Sequence, residues 1–336
     1  MLENDKALLA KKGISEEKLA DQLKQFAAGF PFLKLSAAAS IEKGILAPSA
    51  EEQAQLLAAW DKYVAENHKV VKFVPASGAA SRMFKDVFSF VDAAYEAPES
   101  AFEKKFFDEL PTAAFYADLD AACVKLYGKD IKALLAEGQY KAVAKAMLVE
   151  EGLNYGKLPK GLLKFHKYAD GSRTPLEEHL VEGALYAKAG DGNVNVHFTV
   201  SPEHMEGFRS LLDEKLAHYE EMFGVKYEIT FSVQKPSTDT IAVNPDNTPF
   251  RTDNGDLLFR PAGHGALIAN LNEIDADIIF VKNIDNVTTD ARKGDTVTYK
   301  KALAGILVEL QTEASNLLEH LNSDNADVQK VARFIE

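Results

Sequence analysis

Cysteine and long apolar runs are scarce in this chain of 336 residues. Its one cysteine, Cys123, excludes an internal disulfide and any zinc site built on several cysteines. No apolar run approaches the roughly 20 residues that a membrane-spanning helix needs, and the charged N-terminal segment lacks the pattern of a secretory signal. We therefore expect a cytoplasmic protein without a membrane partner, in which Cys123 is a buried structural thiol.

Basic residues are also in the minority. The chain has 38 lysines and arginines against 51 aspartates and glutamates, which gives a formal net charge of −13. Binding a nucleic acid polymer needs clustered positive charge, so this balance argues against a general DNA- or RNA-binding role. A single nucleotide is compatible with it, because a few cations and backbone amides are enough to hold a triphosphate.

Apolar side chains are plentiful, at 46% of the composition, which is enough for a sizeable core. A β-branched run over 70–74 predicts a buried strand. From about residue 160, strand-like runs alternate with helical segments, one of which begins at Thr174 as an expected N-cap. This alternation predicts an α/β fold with a mostly parallel sheet, whose ligand site lies beyond the carboxyl ends of the strands.

The same patterns divide the chain into parts. Residues 1–68 are predicted to form an N-terminal helical extension, 69–297 an α/β core and 298–336 the C-terminal helices. A helical insertion without strands interrupts the core at 98–152. Further strands are predicted over 161–168, 193–200, 226–233 and 276–284, helices over 174–188, 202–223 and 266–274, and a hairpin over 241–259.

Small residues follow the first predicted strand. They lead into a helix that we expect to begin near Arg82. Small side chains let backbone N–H groups approach an anion, and a helix start adds positive potential. A tight turn packed by small residues explains the segment equally well. The segment consists of Ala76, Ser77, Gly78, Ala79, Ala80 and Ser81.

A histidine between two glycines, and an aspartate at a strand end, are the next candidates. His264 lies between Gly263 and Gly265 just after a predicted strand, at an expected helix start. Such a place favours a functional histidine over a solvated one. Asp285 ends a buried apolar run, which places its carboxylate at the rim where ligands bind, although a turn-capping aspartate is the commoner role there.

Lys160 and Gln234 are weaker candidates. Lys160 stands near the start of a predicted strand, where lysines are usually solvated. Gln234 ends another predicted strand, where a capping or surface role explains it equally well. Neither residue points to a reaction by itself.

Taken together, these segments resemble sugar-1-phosphate nucleotidyltransferases. Residues 76–83 are similar to the Gly-rich loop of that family, which ends in Thr-Arg-Leu or Thr-Arg-Met, although Ser77 and Ala80 stand where the family usually has glycine. Residues 260–267 resemble the Pro-Gly-His-Gly loop of UDP-sugar pyrophosphorylases, and residues 280–286 resemble their strand that ends in Val-Asp-Asn.

The resemblance implies a Rossmann-like, three-layer core of the GT-A type and gives each residue a role. Arg82 and Lys160, which matches a Pro-Lys segment of the family, would meet the phosphates, and Asp285 would bind Mg²⁺ or Mn²⁺. Gln234 resembles a glutamine that reads the base in uridylyl enzymes. The loops 76–81 and 263–265 would hold the nucleotide.

The implied reaction joins a nucleoside triphosphate, with UTP favoured, to a sugar 1-phosphate and releases pyrophosphate. As a whole the chain resembles a bacterial family known by the domain of unknown function DUF4301, and this resemblance implies that a sugar-binding part follows the last residue, Glu336. Two alternatives stay open. One is a nucleotide or sugar-phosphate binding protein that has lost catalysis, and the other is a helical interaction protein.

Overall fold

A computed structural model describes residues 3–321 and 328–335. The helices are α1 (Glu3–Lys12), α2 (Glu16–Ala28), α3 (Ala50–Ala65), α4 (Lys85–Asp92), α5 (Ala101–Glu109), α6 (Tyr116–Tyr127), α7 (Ile131–Ala136), α8 (Tyr140–Leu148), α9 (Pro175–Tyr186), α10 (Met205–Phe223), α11 (Ile268–Leu271), α12 (Lys293–Leu321) and α13 (Val328–Ile335). The strands are β1 (Val70–Pro75), β2 (His166–Tyr168), β3 (Gly171–Arg173), β4 (Asn193–Thr199), β5 (Lys226–Ser232), β6 (Thr240–Ile241), β7 (Phe259–Arg260) and β8 (Ile278–Val281).

Four parallel strands form the central sheet, in the order β5-β4-β1-β8. The chain builds the sheet outward from β1 through β4 to β5 and then returns to the other side of β1. Such a reversal leaves a crevice outside the carboxyl ends of the strands on either side of it, here β1 and β8. We call the edge formed by the residues after these carboxyl ends the carboxyl rim. The predicted α/β class with a mostly parallel sheet is confirmed.

Helices cover one face of this sheet. All six residues of β1 are buried, as expected for a strand that is enclosed on both sides. Val74 and Phe198 pack against α9 and α10, and Phe280 packs edge-on against Trp60 of α3. The opposite face is more polar, because it carries His197 and its hydrogen-bond partners on β5. Apart from Lys72 of β1, which binds Glu182 of α9, the sheet is therefore apolar on its helix side, and it is hydrogen-bonded on the other.

Helices α4 to α8 form a compact unit between β1 and β2. Their apolar side chains make a cluster of their own, which extends from Ala80 to Leu163 and includes Cys123. No strand interrupts residues 98–152, as predicted, and Cys123 is fully buried. Because this cluster begins and ends next to the carboxyl rim, the unit stands directly beside the candidate site.

The predicted strand over 161–168 is wrong for most of its length. Residues Lys160–Leu162 form a 3₁₀ turn, and only His166–Tyr168 is a strand, which pairs with β3 outside the central sheet. The apolar run serves two cores: Leu162 packs beside α10, whereas Leu163 joins the cluster of the helical insertion. A run divided in this way cannot keep the alternation of a sheet strand.

Several other boundaries also differ from the prediction. Residues 29–49 are not helical, because Gly29, at φ 72°, ends α2. Ser201 makes no side-chain cap bond at the start of the 202–223 segment, whereas Thr174 caps α9 as expected. The segments predicted as strand 276–284 and helix 266–274 shorten to β8 and α11.

The last helix predicted from the sequence covers residues 325–336. The last predicted helix is observed as α13, and the rest of 325–336 lies outside the described residues. Among the residues that the structure describes, no helix has the length and apolarity needed to cross a membrane.

Gly305 offers a test of the packing between α3 and α12. A Cβ at Gly305 would lie 2.1 Å from the carbonyl oxygen of Leu56, so the two helix backbones touch there. We expect Gly305→Ala to lower the free energy of unfolding by about 2 kcal/mol, since overpacking outweighs the gain in helix propensity. Gly294→Ala, also in α12, is the control, because a Cβ added there would have no atom of another described segment within 4 Å. Equal unfolding midpoints in denaturant for the two variants would contradict the packing.

Candidate functional site

Lys160 and Asp285 meet at the carboxyl rim. Lys160 lies at the exit from the helical insertion, and Asp285 follows β8. The Lys160 Nζ donates to the Asp285 Oδ2 over 2.5 Å. Their side chains are 26% and 33% exposed, so a ligand in the crevice can reach both. Two residues that are far apart in the chain thus form one charged pair beside β1 and β8.

The small-residue loop lies against the segment that carries Lys160. Lys160 N donates to the carbonyl of Gly78 over 3.1 Å, and Ala80 N donates to the carbonyl of Leu158 over 3.3 Å. Within the described residues, no hydrogen bond is donated by the backbone N–H groups of Ser77, Gly78 and Ala79. Successive free amides of this kind are suited to bind an anion. The loop therefore fixes Lys160 and still offers donors to a ligand.

The replaced glycines introduce no backbone strain. Ala80 has φ −84°, and neither Ser77 nor Gly78 is among the described residues with positive φ. A side chain at Ser77 or Ala80 would cost energy only if φ were positive there, and φ is positive at neither residue. The loop can thus present its amides without glycine at either position.

His264 lies close enough to Asp285 to affect its ionisation. Partial burial raises the pKa of Asp285, whereas the hydrogen bond and charge of Lys160, and to a lesser degree the charge of His264, lower it. The net pKa lies below its usual value, so the carboxylate is ionised at neutral pH. The 263–265 loop is exposed, and the charge of His264 acts on Asp285 from it.

A buried polar chain holds the segment that follows this loop. The Asn270 side chain donates to Ser232 Oγ and to the carbonyl of Val233, both over 2.9 Å. His197 bonds Ser232 Oγ and Thr230 Oγ1, each over 2.8 Å. The α11 region is thereby attached to the end of β5, and the 263–265 loop with it.

Two predicted site residues stand apart from this group. Arg82 is exposed in the 3₁₀ turn Ser81–Phe84, and its side chain has no hydrogen bond or ion pair to any described residue. Gln234 donates to Thr238 Oγ1 over 3.4 Å, a contact within its own turn. The structure thus joins Lys160 and Asp285 to each other and to the 76–81 loop, and it leaves Arg82 and Gln234 outside these contacts.

The site offers a metal ion one carboxylate. Among the described residues there is no group of three or more acidic, histidine or cysteine side chains that could hold an ion. Mg²⁺ commonly takes one or two carboxylates and completes its shell with water and substrate phosphates. Asp285 fits that pattern only when a phosphorylated ligand supplies the remaining oxygens.

A buried charge network underlies the rim, and sequence reasoning missed it. Glu182 of α9 accepts from Lys72 Nζ over 3.0 Å and from Lys282 Nζ over 2.6 Å. Tyr186 also donates to Glu182, and Lys72 donates to the carbonyl of His179. The one available sign was Lys72, a charged residue within the apolar run of β1. The network connects β1, α9 and the residues after β8.

A second network lies one turn away on the same helix. Glu178, fully buried, accepts from His166 Nδ1 at 2.9 Å, from Tyr168 at 2.6 Å and from Lys293 at 2.5 Å. Arg173 completes it through two bonds to the Asp290 carboxylate, at 2.9 and 2.8 Å. These contacts connect the β2–β3 hairpin to the start of α12, next to the Asp285 turn.

Opposing effects set the ionisation of Glu182. Burial raises the pKa of Glu182, but the charge of Lys72 and the hydrogen bond and charge of Lys282 lower it to about 2. A depressed carboxyl pKa adds stability that is fully present above the usual value of 4.5 and is lost as the pH falls toward 2. Glu182 therefore stabilises the fold at neutral pH, although burial also lowers the pKa of its partner Lys72, to about 7.

We expect Glu182→Gln to lower the free energy of unfolding by about 3–5 kcal/mol, because the buried ammonium group of Lys72 and the partly buried one of Lys282 would lose their counter-charge. The difference from wild type should shrink as the pH falls from 4.5 to about 2. Glu137→Gln removes the exposed pair with Lys129 and should cost at most about 1 kcal/mol. Urea unfolding at several pH values measures both, and a pH-independent difference would contradict the assignment.

The family model described as Domain of unknown function (DUF4301) matches residues 2–336. No curated protein and no solved structure matches the chain. Because the family match spans nearly all of the sequence, the chain belongs to the DUF4301 family.

Proposed function

We propose that this protein is a metal-dependent nucleotidyltransferase that joins a nucleoside triphosphate to a sugar 1-phosphate and releases pyrophosphate. The observation that carries the proposal is the meeting of Lys160 and Asp285 beside the free amides of residues 77–79. Cationic, anionic and amide groups at one rim are suited to bind phosphates and a metal ion together. UTP is the favoured donor because residues 260–267 resemble the loop of UDP-sugar pyrophosphorylases.

The strand order supports a Rossmann-like core of the GT-A type. The order β5-β4-β1-β8 corresponds to the third, second, first and fourth strands of the parallel sheet in chain sequence. Doubly wound nucleotide-binding folds share this arrangement and bind ligands at the reversal point. Lys160, Asp285 and the 77–79 amides lie at that point.

In the proposed reaction, a phosphate oxygen of the sugar 1-phosphate attacks the α-phosphorus of the triphosphate. The bond between the α-phosphorus and the oxygen bridging to the β-phosphate breaks, and pyrophosphate leaves with that electron pair. The substrate itself supplies the nucleophile, so no side chain needs to form a covalent intermediate. The protein contributes positioning and charge stabilisation.

Each group at the rim has a part in this chemistry. The amides of Ser77, Gly78 and Ala79 would hold the β- and γ-phosphates, and Lys160 would stabilise the charge that develops on the phosphates. The 263–265 loop would border the nucleoside. Arg82 would approach the triphosphate from its exposed turn. A Mg²⁺ or Mn²⁺ ion held by Asp285 and by substrate oxygens would neutralise charge at the α-phosphate.

The hydrogen-bonded ion pair between Lys160 and Asp285 affects the order in which the metal ion and the nucleotide bind. Lys160 occupies one oxygen of the only carboxylate proposed for the metal. An incoming phosphate offers Lys160 a second anionic partner, which frees that oxygen. We therefore expect the ion and the nucleotide to bind together, and the ion alone to bind weakly.

Substitution of Asp285 tests the catalytic role. We expect Asp285→Ala to abolish turnover, a loss of at least about 10²–10³ in rate, because its carboxylate orients the reacting phosphates. The fold should persist, since the side chain is 33% exposed. Asp253→Asn, in the exposed turn of the hairpin, is the control and should keep full activity. Release of pyrophosphate measures the rate, and near-normal turnover in Asp285→Ala would refute the assignment.

Thermal stabilisation tests binding separately from turnover. Nucleotide with Mg²⁺ at 100 times its Kd should add about 2.7 kcal/mol to stability and raise Tm, whereas Mg²⁺ alone should do neither. Lys160→Met should weaken this effect, and among the four triphosphates UTP should give the largest shift. Stabilisation without exchange of labelled pyrophosphate into UTP, measured with a sugar 1-phosphate present, would favour a binding protein that lacks catalysis. The absence of a shift with any triphosphate would refute both functions.

A further inference from the structure

The turn that carries Asp285 is held by backbone hydrogen bonds on the β1 side. Lys282 N donates to the carbonyl of Phe73 over 3.1 Å, and Ile284 N donates to the carbonyl of Pro75 over 3.0 Å. These bonds continue the parallel ladder between β1 and β8 past the last strand residue. They fix the turn, residues 282–286, in the plane of the sheet.

His179 of α9 holds the same turn from the helix layer. Its Nε2 lies 3.1 Å from the carbonyl oxygen of Asn283 and 3.2 Å from that of Ile284. Both partners are acceptors, so Nε2 carries the hydrogen. Burial, with the charge of Lys72, lowers the pKa of His179 well below its usual value, which keeps the ring neutral. His179 is therefore a neutral donor to the two carbonyls that precede Asp285.

The other ring nitrogen shows that packing alone does not explain this histidine. Nδ1 of His179 is buried and has no hydrogen-bond partner among the residues that the structure describes. A buried polar atom without a partner costs free energy that a leucine of similar size would not incur. The hydrogen bond from Nε2 to the Asn283 and Ile284 carbonyls is the interaction that a leucine could not make.

We propose that His179 is a positioning residue, which holds the Asn283 and Ile284 carbonyls so that the Asp285 carboxylate keeps its place beside Lys160. Its importance for turnover rests on the function proposed above. Lys282 still binds Glu182 when His179 is replaced, so the start of the turn stays attached to α9. Loss of His179 should therefore loosen residues 283–286 and leave the rest of the fold intact.

A matched set of variants separates positioning from general stability. His179→Gln keeps an N–H near the position of Nε2, His179→Asn is one methylene too short to reach the carbonyls, and His179→Leu removes the donor. Tyr227→Phe is the control. The Tyr227 hydroxyl donates a buried hydrogen bond to the Leu180 carbonyl of α9 over 2.9 Å, and the substitution removes this bond without touching the Asp285 turn.

Hydrogen exchange of the Ile284 and Asn286 amides measures the turn directly, since these amides donate to Pro75 and Asn283. We expect exchange to be about 10-fold faster in His179→Leu and His179→Asn, and nearly unchanged in His179→Gln and Tyr227→Phe. If His179→Leu fails to fold, the comparison of the Gln and Asn variants decides. Equal exchange in all variants would overturn the proposal.

Steady-state kinetics on the full chain supplies the second readout. In His179→Asn, kcat should fall about 10²-fold while KM for UTP stays within about threefold, because a displaced carboxylate affects the transition state more than nucleotide binding. His179→Gln should restore kcat to within about threefold of wild type. Equal kcat in the Asn and Gln variants would overturn the proposal. Wild-type protein without turnover would refute the proposed function instead, and amide exchange alone would then decide on His179.

Discussion

The central sheet depends on a charge that is buried beneath it. Lys72 projects from the middle of β1 into the helix layer, where no water remains to solvate its ammonium group, and Glu182 supplies the counter-charge. A buried ammonium group without such a partner would be strongly destabilising. Because Glu182 also binds Lys282, the same carboxylate that balances the first strand fixes the start of the turn after β8.

Helix α9 extends this arrangement along its length. Three glutamates and a histidine of one helix are buried, and each contacts a different neighbour: Glu177 closes the capping box with Thr174, Glu178 binds the β2–β3 hairpin and α12, His179 holds the Asp285 turn, and Glu182 balances the lysines. A helix placed between charged neighbours on several sides cannot move without breaking these contacts together. The carboxyl rim is thus mounted on a rigid polar layer.

Sequence reasoning succeeded where structure depends on near neighbours. The start of α9 was predicted because a capping box involves residues three positions apart, and β4 and β5 were predicted from their own patterns. It failed at Lys160–Leu162, because the division of that run between two cores is a tertiary property.

The candidate site was predictable to a similar extent. Lys160, Asp285 and both loops were proposed through a family resemblance, and the structure brings Lys160 and Asp285 into contact. The supporting residues were not found. Glu182 and Lys72 are 110 positions apart, and no local pattern indicates that such a pair will meet. From the sequence alone, His179 is indistinguishable from the other polar residues of its helix, and the burial of nearly the whole helix was not expected.

The loop after β1 offers its ligand only main-chain groups, and this has an evolutionary consequence. A peptide N–H is the same in serine, glycine and alanine, provided that the backbone follows an ordinary path, as it does here at Ala80. Selection on such a loop acts on size and dihedral angles and hardly on chemical identity. The sequence of the loop can therefore diverge until it no longer matches that of a distant relative, while its backbone N–H groups keep their positions.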